Sequence, residues 1–301
     1  MEYAKLILRP TSPIISELQS DTIFGHFAWG IFFVYGEDRL KELLKDFKEK
    51  PFIIFSDGFI KGFLPKPFLE PYLPKDSELK YAKEVKKKSL IDKEFIFNNI
   101  DNLNDNKIFQ YLKEKKYKFE QELNITQKNS INRNSNLVTE GLYTIKEKFV
   151  NQDYEIYFAY QDISKEEIEQ IFNFIAKRGY GKDKSAGKGK FTFRIDWNFK
   201  EKKYFTTKKE RFINLSTMFR SNNMHLLYGK TITKFPKAGG FYASSEPYKN
   251  PYIMYLPGST FIVEGEVLGR AEERVYNKNN HYQNGFSIGI YYNEVGNEND
   301  S

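Results

Sequence analysis

Residues 164–197 set the strictest limit on what this chain can fold into. Ser164-Lys165-Glu166-Glu167 has the form of a capping box, and Ile168, Ile171, Phe172 and Ile175 then fall at i, i+3, i+4 and i+7 of one helical face. A glycine- and lysine-rich loop follows, Gly179-Tyr180-Gly181-Lys182-Asp183-Lys184-Ser185-Ala186-Gly187-Lys188-Gly189-Lys190-Phe191. Beyond it Phe191, Phe193, Ile195 and Trp197 alternate with Thr192, Arg194 and Asp196, which predicts a strand with one buried side. The order is helix, loop, strand. Nucleotide-binding loops need strand, loop, helix, so that a helix N-terminus faces the phosphate. The spacing disagrees as well, because Gly181 and Gly187 enclose five residues and Lys188 is followed by Gly189 rather than Ser or Thr. An ATPase reading of the loop therefore fails.

Glycine lets main-chain N–H groups approach an anion and lysine supplies attraction, so the loop is a candidate phosphate cradle. Read without context, the same residues also fit a Gly C-cap at Gly179 followed by a surface turn. The net charge of the chain is +7, yet Lys177 to Arg211 holds 13 Lys/Arg against 4 Asp/Glu, a net of +9. Such clustering suits a nucleic-acid backbone, and a solvated lysine-rich surface is the plain alternative.

The N-terminal elements complete a topology. Ala4, Leu6 and Leu8 alternate with Lys5, Ile7 and Arg9 in a first strand ended by Pro10 and Pro13. Ser20 or Asp21 can cap a helix bearing Ile23, Phe24, Phe27, Ala28, Ile31 and Phe32, and a second helical stretch runs from Glu37 to Lys48. Phe52 to Phe55 reads as a second strand, and Ile156, Phe158 and Tyr160 mark a third just ahead of the capping box. The sum is βαβ, an insertion, then βαβ, which predicts an α+β, ferredoxin-like (RRM-like) βαββαβ domain over residues 1–199 with the insertion at about 58–151. Within the insertion, Leu64-Pro65-Lys66-Pro67 breaks regular structure, Lys75 to Lys93 carries seven lysines, and Asn98 to Asn106 is dense in Asn and Asp. These segments read as excursions from the sheet, as interaction arms or as solvated insertions. Residues 200–301, after a basic connector from Lys200 to Arg211, show short extended runs and no strongly amphipathic helix, so a mostly β second domain is expected.

The chain has no cysteine, which excludes disulfides and Cys-ligated zinc, and no His or carboxylate cluster has metal-ligand spacing. No cofactor and no metal are expected. No secretory signal or membrane-length apolar run is seen, so a cytoplasmic location away from membranes is the default.

Several blocks together resemble the RAMP superfamily of CRISPR proteins. They are Leu18-Gln19-Ser20-Asp21-Thr22-Ile23-Phe24-Gly25-His26, Leu64-Pro65-Lys66-Pro67, Ile131-Asn132-Arg133 with Gly141-Leu142-Tyr143, the glycine loop, and Gly258-Ser259-Thr260-Phe261. More narrowly, they are similar to the Csm-four subunits of type III-A interference complexes. The resemblance implies a non-catalytic subunit that grips the 5′ handle of the crRNA, sits beside the large Cas-ten subunit, contacts the first Csm-three backbone subunit, and holds a thumb hairpin near the target RNA. It carries handle binding to Gly179, Gly181, Lys182, Lys184, Ser185, Gly187, Lys188 and Gly189, with Arg178 and Lys190 flanking them and Lys66 and Arg133 added. Arg133 fits a phosphate fork or a surface ion pair equally. The thumb falls within the insertion, and the second domain is expected to be a degenerate ferredoxin-like unit.

Two other classes compete. RAMP-type repeat-processing endoribonucleases cut RNA by acid–base chemistry, commonly with histidine, and of His26, His225 and His281 only His26 lies in a recognisable helix. It is about 140° from the centre of the apolar face, a position that fits an RNA contact, a partner contact or packing beside Trp29 and Phe33. A free-standing RNA-binding module is the other class, and would need no partner subunits.

Overall fold

The computed structural model describes residues 1–119, 121–131, 138–237, 239, 248–273 and 282–297. Its N-terminal half runs β1 (Glu2–Pro10), α1 (Ser20–Tyr35), α2 (Glu37–Leu44), β2 (Ile53–Phe55), β3 (Phe59–Ile60) and β4 (Phe63–Pro65). An intervening segment holds α3 (Leu79–Lys87), β5 (Leu90–Asp92), α4 (Lys93–Asn98), α5 (Asp105–Lys113) and the long antiparallel hairpin β6 (Gln121–Ile131) and β7 (Val138–Val150). The chain then re-enters the sheet as β8 (Tyr154–Tyr160), crosses it as α6 (Lys165–Arg178) and ends this half as β9 (Phe191–Asp196). The strand order is β2-β8-β1-β9, every neighbour is antiparallel, and β3 extends β8.

One face of this sheet packs on α1 and α6. Phe27 meets Phe55 and Phe172, each at 5.4 Å, and Gly30 brings the helices so close that a Cβ there would lie 2.6 Å from the Ile171 side chain. The capping box forms as expected, with the Glu167 N–H donating to Ser164 Oγ (3.1 Å) and the Ser164 N–H to Glu167 Oε2 (2.9 Å). The cap expected of α1 does not form from Ser20 or Asp21. Gln19 is the N-cap and makes no side-chain capping bond, while the Ser20 N–H donates to Asp57 Oδ1 at 2.9 Å. The acceptor is thus supplied from just beyond β2, where no local pattern could reveal it.

The other face is covered by the chain itself. Tyr157 is fully buried between β8 and the connector, its ring 5.7 Å from Phe199 and 4.8 Å from Phe205, and Tyr204 of α7 (Lys203–Thr206) stacks on Phe97 of α4 at 4.5 Å. Beneath them lies a buried ionic square. Lys93 Nζ donates to Glu155 Oε2 (2.9 Å) and pairs with Glu201 (3.2 Å), while Lys5 Nζ pairs with Glu155 (3.4 Å) and Glu201 (3.6 Å). Two cations and two anions in alternation leave no net buried charge, which is the condition under which such ions are tolerated. The basic connector and the insertion are therefore more than solvated excursions: Phe199, Glu201 and Phe205 of the first, and Ile91, Ile96, Ile108 and Leu112 of the second, are buried. Asn104, from the Asn-rich stretch, caps α5 by accepting from the Lys107 N–H at 2.8 Å.

The C-terminal half comprises β10 (Arg211–Asn214), β11 (Met224–Tyr228), β12 (Thr231–Lys234), β13 (Tyr252–Tyr255), β14 (Thr260–Val263), β15 (Leu268–Gly269), β16 (Phe286–Ser287) and β17 (Gly289–Tyr292), with no helix among the described residues. Its main sheet has the order β11-β14-β10-β17, again antiparallel throughout. Counted along the chain, that is second, third, first, fourth, the same order as the four main strands of the N-terminal sheet. The second sheet repeats the strand order of the first, with no crossover helix among the described residues.

A polar seam joins the halves. Asp57 accepts from the Ser20 N–H, the Thr217 N–H (2.7 Å) and the Thr217 hydroxyl (2.7 Å), and Ser216 Oγ donates to the Phe55 carbonyl (2.8 Å). Leu215, Ile288 and Ile290 of the second half lie in the same apolar core as β1 and α1.

Candidate functional site

The loop between α6 and β9 is shaped by its glycines. Gly189 has φ +71 and a Cβ there would lie 2.0 Å from the Tyr180 carbonyl oxygen, while at Gly179, φ +93, it would lie 2.4 Å from the Lys188 carbonyl oxygen. These glycines let the two arms of the loop close on each other, sealed by the Tyr180 N–H donating to the Gly189 carbonyl at 2.8 Å.

The amides do not face outward as a cradle. The Gly181 N–H donates to His26 Nε2 (3.0 Å), the Lys182 N–H to Ser16 Oγ (2.9 Å), and the Lys190 N–H to Ser12 Oγ (2.8 Å). The Gly189 N–H reaches the Pro13 carbonyl (2.9 Å), and those of Gly179, Ala186, Gly187 and Lys188 bond within α6 or the loop. The expectation that loop amides hold an anion is thus corrected for these positions, and the cationic side chains remain as groups that can meet one. Arg178, Lys182, Ser185 and Lys190 are exposed, and Lys184 and Lys188 are half-buried. Burial, and then the neighbouring Arg178, hold the Lys184 ammonium below its usual range. Arg178 lies over the Phe33 ring at 4.7 Å.

His26 serves the loop. Its Nε2 accepts from Gly181, its ring lies 4.7 Å from that of Tyr180, and its pKa is lowered to about 3 by burial and then by Lys184. It is a neutral acceptor whose reactive nitrogen is occupied by structure. The Tyr180 hydroxyl donates to the Glu17 carbonyl (2.8 Å). The connection from Ser12 to Glu17, unremarked in the sequence, therefore holds the loop in place, and only its short run of Ser and Pro before α1 hints at such a role.

The structure does not bring every candidate to this loop. Lys66 Nζ donates to the Val85 carbonyl near the end of α3 (3.0 Å), with Asp105, Lys230 and Lys88 as its charged neighbours. It anchors α3 rather than joining the loop. Arg133 lies outside the described residues. The blocks that looked separate in sequence nevertheless meet. The Phe68 N–H, just after Leu64-Pro65-Lys66-Pro67, donates to the Gly258 carbonyl at 2.8 Å, and Thr260 Oγ1 donates to the Phe68 carbonyl at 2.7 Å. Among the described residues no group of three or more His, Cys, Asp or Glu is placed to hold a metal, and no helix is long and apolar enough to cross a membrane.

No protein-family model matches the chain, and no curated protein matches it. Solved structures do. A chain of the Csm3-Csm4 subcomplex in the type III-A CRISPR-Cas interference complex is 17% identical with a TM-score of 0.60, covering 96% of this chain and 99% of that one. Chains of two Csm1-Csm4 cassettes, one with cA4 (15% identity, TM-score 0.61) and one with AMPPNP (15%, 0.58), each cover 98% of this chain and 99% of their own. The chain has the fold of a Csm4-like protein.

Proposed function

We propose that the chain is a non-catalytic RNA-binding subunit of a type III-A CRISPR effector complex. It holds the crRNA 5′ handle with the side chains of the α6–β9 loop and bridges the large Cas-ten subunit to the Csm-three backbone. The observation that carries this reading is the whole-length likeness to structures in which Csm4 is described with Csm3 or with Csm1. The exposed cations at Arg178, Lys182 and Lys190 supply the phosphate-binding chemistry, which positions RNA without reading its sequence. Both main sheets, with their shared order of second, third, first, fourth, fit a pair of ferredoxin-like units, the C-terminal one with no crossover helix among the described residues. The β6–β7 hairpin has the form expected of the thumb, which in this reading would lie near the target RNA.

The covered sheet face shapes how RNA can be met. RRM-type recognition stacks bases on aromatic residues of the sheet, and here Tyr157 and its neighbours are buried under α4 and α7. Contact therefore falls to loops and hairpins. The endonuclease reading is disfavoured by His26, whose Nε2 is already hydrogen-bonded and whose ring stays neutral. His26→Ala is expected to cost about 1–2 kcal/mol of stability, by leaving the Gly181 amide without an acceptor, and to weaken RNA binding a few-fold. Incubated repeat RNA should stay intact with both proteins, and cleavage by the parent that the variant lacks would restore the nuclease.

Expression of the chain with its proposed partner subunits and a CRISPR array, followed by sequencing of the co-purified RNA, tests the assignment. Guides that share one 5′ handle are expected. A random RNA pool would overturn it, and handle RNA bound without the partner subunits would favour the free-standing module.

A further inference from the structure

The β12–β13 hairpin has two faces of opposite character. On the inner face Lys234 Nζ donates to Asp21 Oδ1 (2.6 Å), the Tyr252 hydroxyl lies 3.4 Å from Asp21 Oδ2, and Met254 is fully buried. Alternation turns Thr233 and Ile253, paired across the ladder, to the other side, where Ile253 is 62% exposed. Phe235, continuing that side, is 74% exposed. Further along, Tyr248 is 71% exposed, and Lys237, bridged to it, holds its ammonium 4.9 Å over the ring.

The root of this hairpin stands beside the α6–β9 loop. Asp21, in the first turn of α1, holds Lys234, and lies close enough to Tyr180 of the loop to act on its hydroxyl. Five residues along the same helix, His26 holds Gly181. From Tyr228 to Leu256 the sequence carries four lysines and one glutamate. An outward surface of single exposed rings beside lysines, on a hairpin whose inner face meets the helix that supports the cationic loop, matches a nucleic-acid strand in both charge and stacking chemistry.

We propose that the outer face of this hairpin is a second RNA-contact surface, on which bases of the single-stranded RNA leaving the α6–β9 loop stack against Phe235 and Tyr248 while Lys237 meets the backbone. The inference rests on the RNA-binding reading above. Ring-on-base stacking tolerates any base, so the surface grips without selecting sequence.

The test uses the complex assembled on the full-length chain with handle-bearing RNA carrying 2-aminopurine at successive positions, whose fluorescence falls when the base stacks. Phe235→Ala with Tyr248→Ala is expected to lose quenching at one or more positions and to bind about tenfold more weakly per ring removed. The slope of log affinity against log salt should stay unchanged, and Phe235→Trp should retain quenching. Both side chains are exposed, so the fold is expected to survive. Unchanged quenching and affinity in the double variant, with charge reversal in the loop still weakening binding, would overturn this inference alone. If the loop variant also binds normally, the RNA-binding reading falls with it. Loss of a partner subunit from the assembled complex with RNA binding intact would assign the hairpin to a protein interface instead.

Discussion

Replacing Lys182, Lys184 and Lys188 together by Glu is expected to weaken handle-RNA binding on the order of a hundredfold, given the strength of charge-assisted contacts. The reason lies in which groups of the loop are available. Its described amides at Gly181, Lys182, Gly187, Lys188, Gly189 and Lys190 are committed inside the protein, so attraction for phosphate rests on side-chain charge. Three fewer phosphate contacts release fewer counterions, and the slope of log affinity against log salt should fall by about 2. Thermal stability should change little, because Lys182 is exposed and Lys184 carries a repulsion from Arg178 that the substitution removes. Equal binding and an equal slope would move the site elsewhere.

The largest effect on stability is expected at Asp57. Its carboxylate accepts three hydrogen bonds from α1 and from the segment after β10, and so ties both halves to the helix that supports the loop. Asp57→Ala leaves these donors buried without a partner and should cost about 3 kcal/mol, seen as a lower denaturant midpoint with an unchanged slope. Asp57→Asn keeps an acceptor and the volume, and should stay within about 1 kcal/mol. The two also separate in pH dependence. Burial raises the Asp57 pKa from 3.8 to about 6 against the hydrogen bonds that lower it. The folded state therefore binds the proton more tightly, and the group's contribution to stability is full below about pH 4 and is lost as pH rises through 6. His26 acts in the opposite sense: held at about 3 when folded, it costs stability as pH falls below 6.5. Comparison with Asp57→Asn isolates the carboxylate, because His26 is common to both proteins. The stability difference, parent minus variant, should grow in the parent's favour from pH 7 to pH 5, and a flat difference would contradict the assignment.

Elements with a repeating pattern were legible in the sequence. The capping box at Ser164, the helical face of α6 and the alternation of β9 all declare themselves within a dozen residues, and the structure contains each, whereas β1 forms where expected but is buried on both faces from Ala4 to Leu8. What was not legible depends on contacts distant in sequence. Asp57 supplies the acceptor at the start of α1 from 37 residues away, and Lys5, Lys93, Glu155 and Glu201 meet from four separate segments. The repeated strand order of the second half was hidden because its crossovers carry no helix among the described residues, and its short strands offer little periodicity. The candidate site was legible in composition and position, since glycine and lysine mark the loop. The use of its amides was not, because the acceptors at Ser12, Ser16 and His26 belong to a segment more than 150 residues earlier. Lys66 shows the converse: a cation in a recognised block whose ammonium is spent on the Val85 carbonyl.

The measurement closest to the central claim is photo-crosslinking of the assembled complex with crRNA carrying 4-thiouridine in its 5′ handle, followed by identification of the modified peptides. Crosslinks from the handle to peptides spanning Arg178 to Lys190 are predicted, and their yield should drop in the Lys182, Lys184 and Lys188 charge-reversal variant. Handle crosslinks found only on other subunits, with none on this chain, would contradict the account.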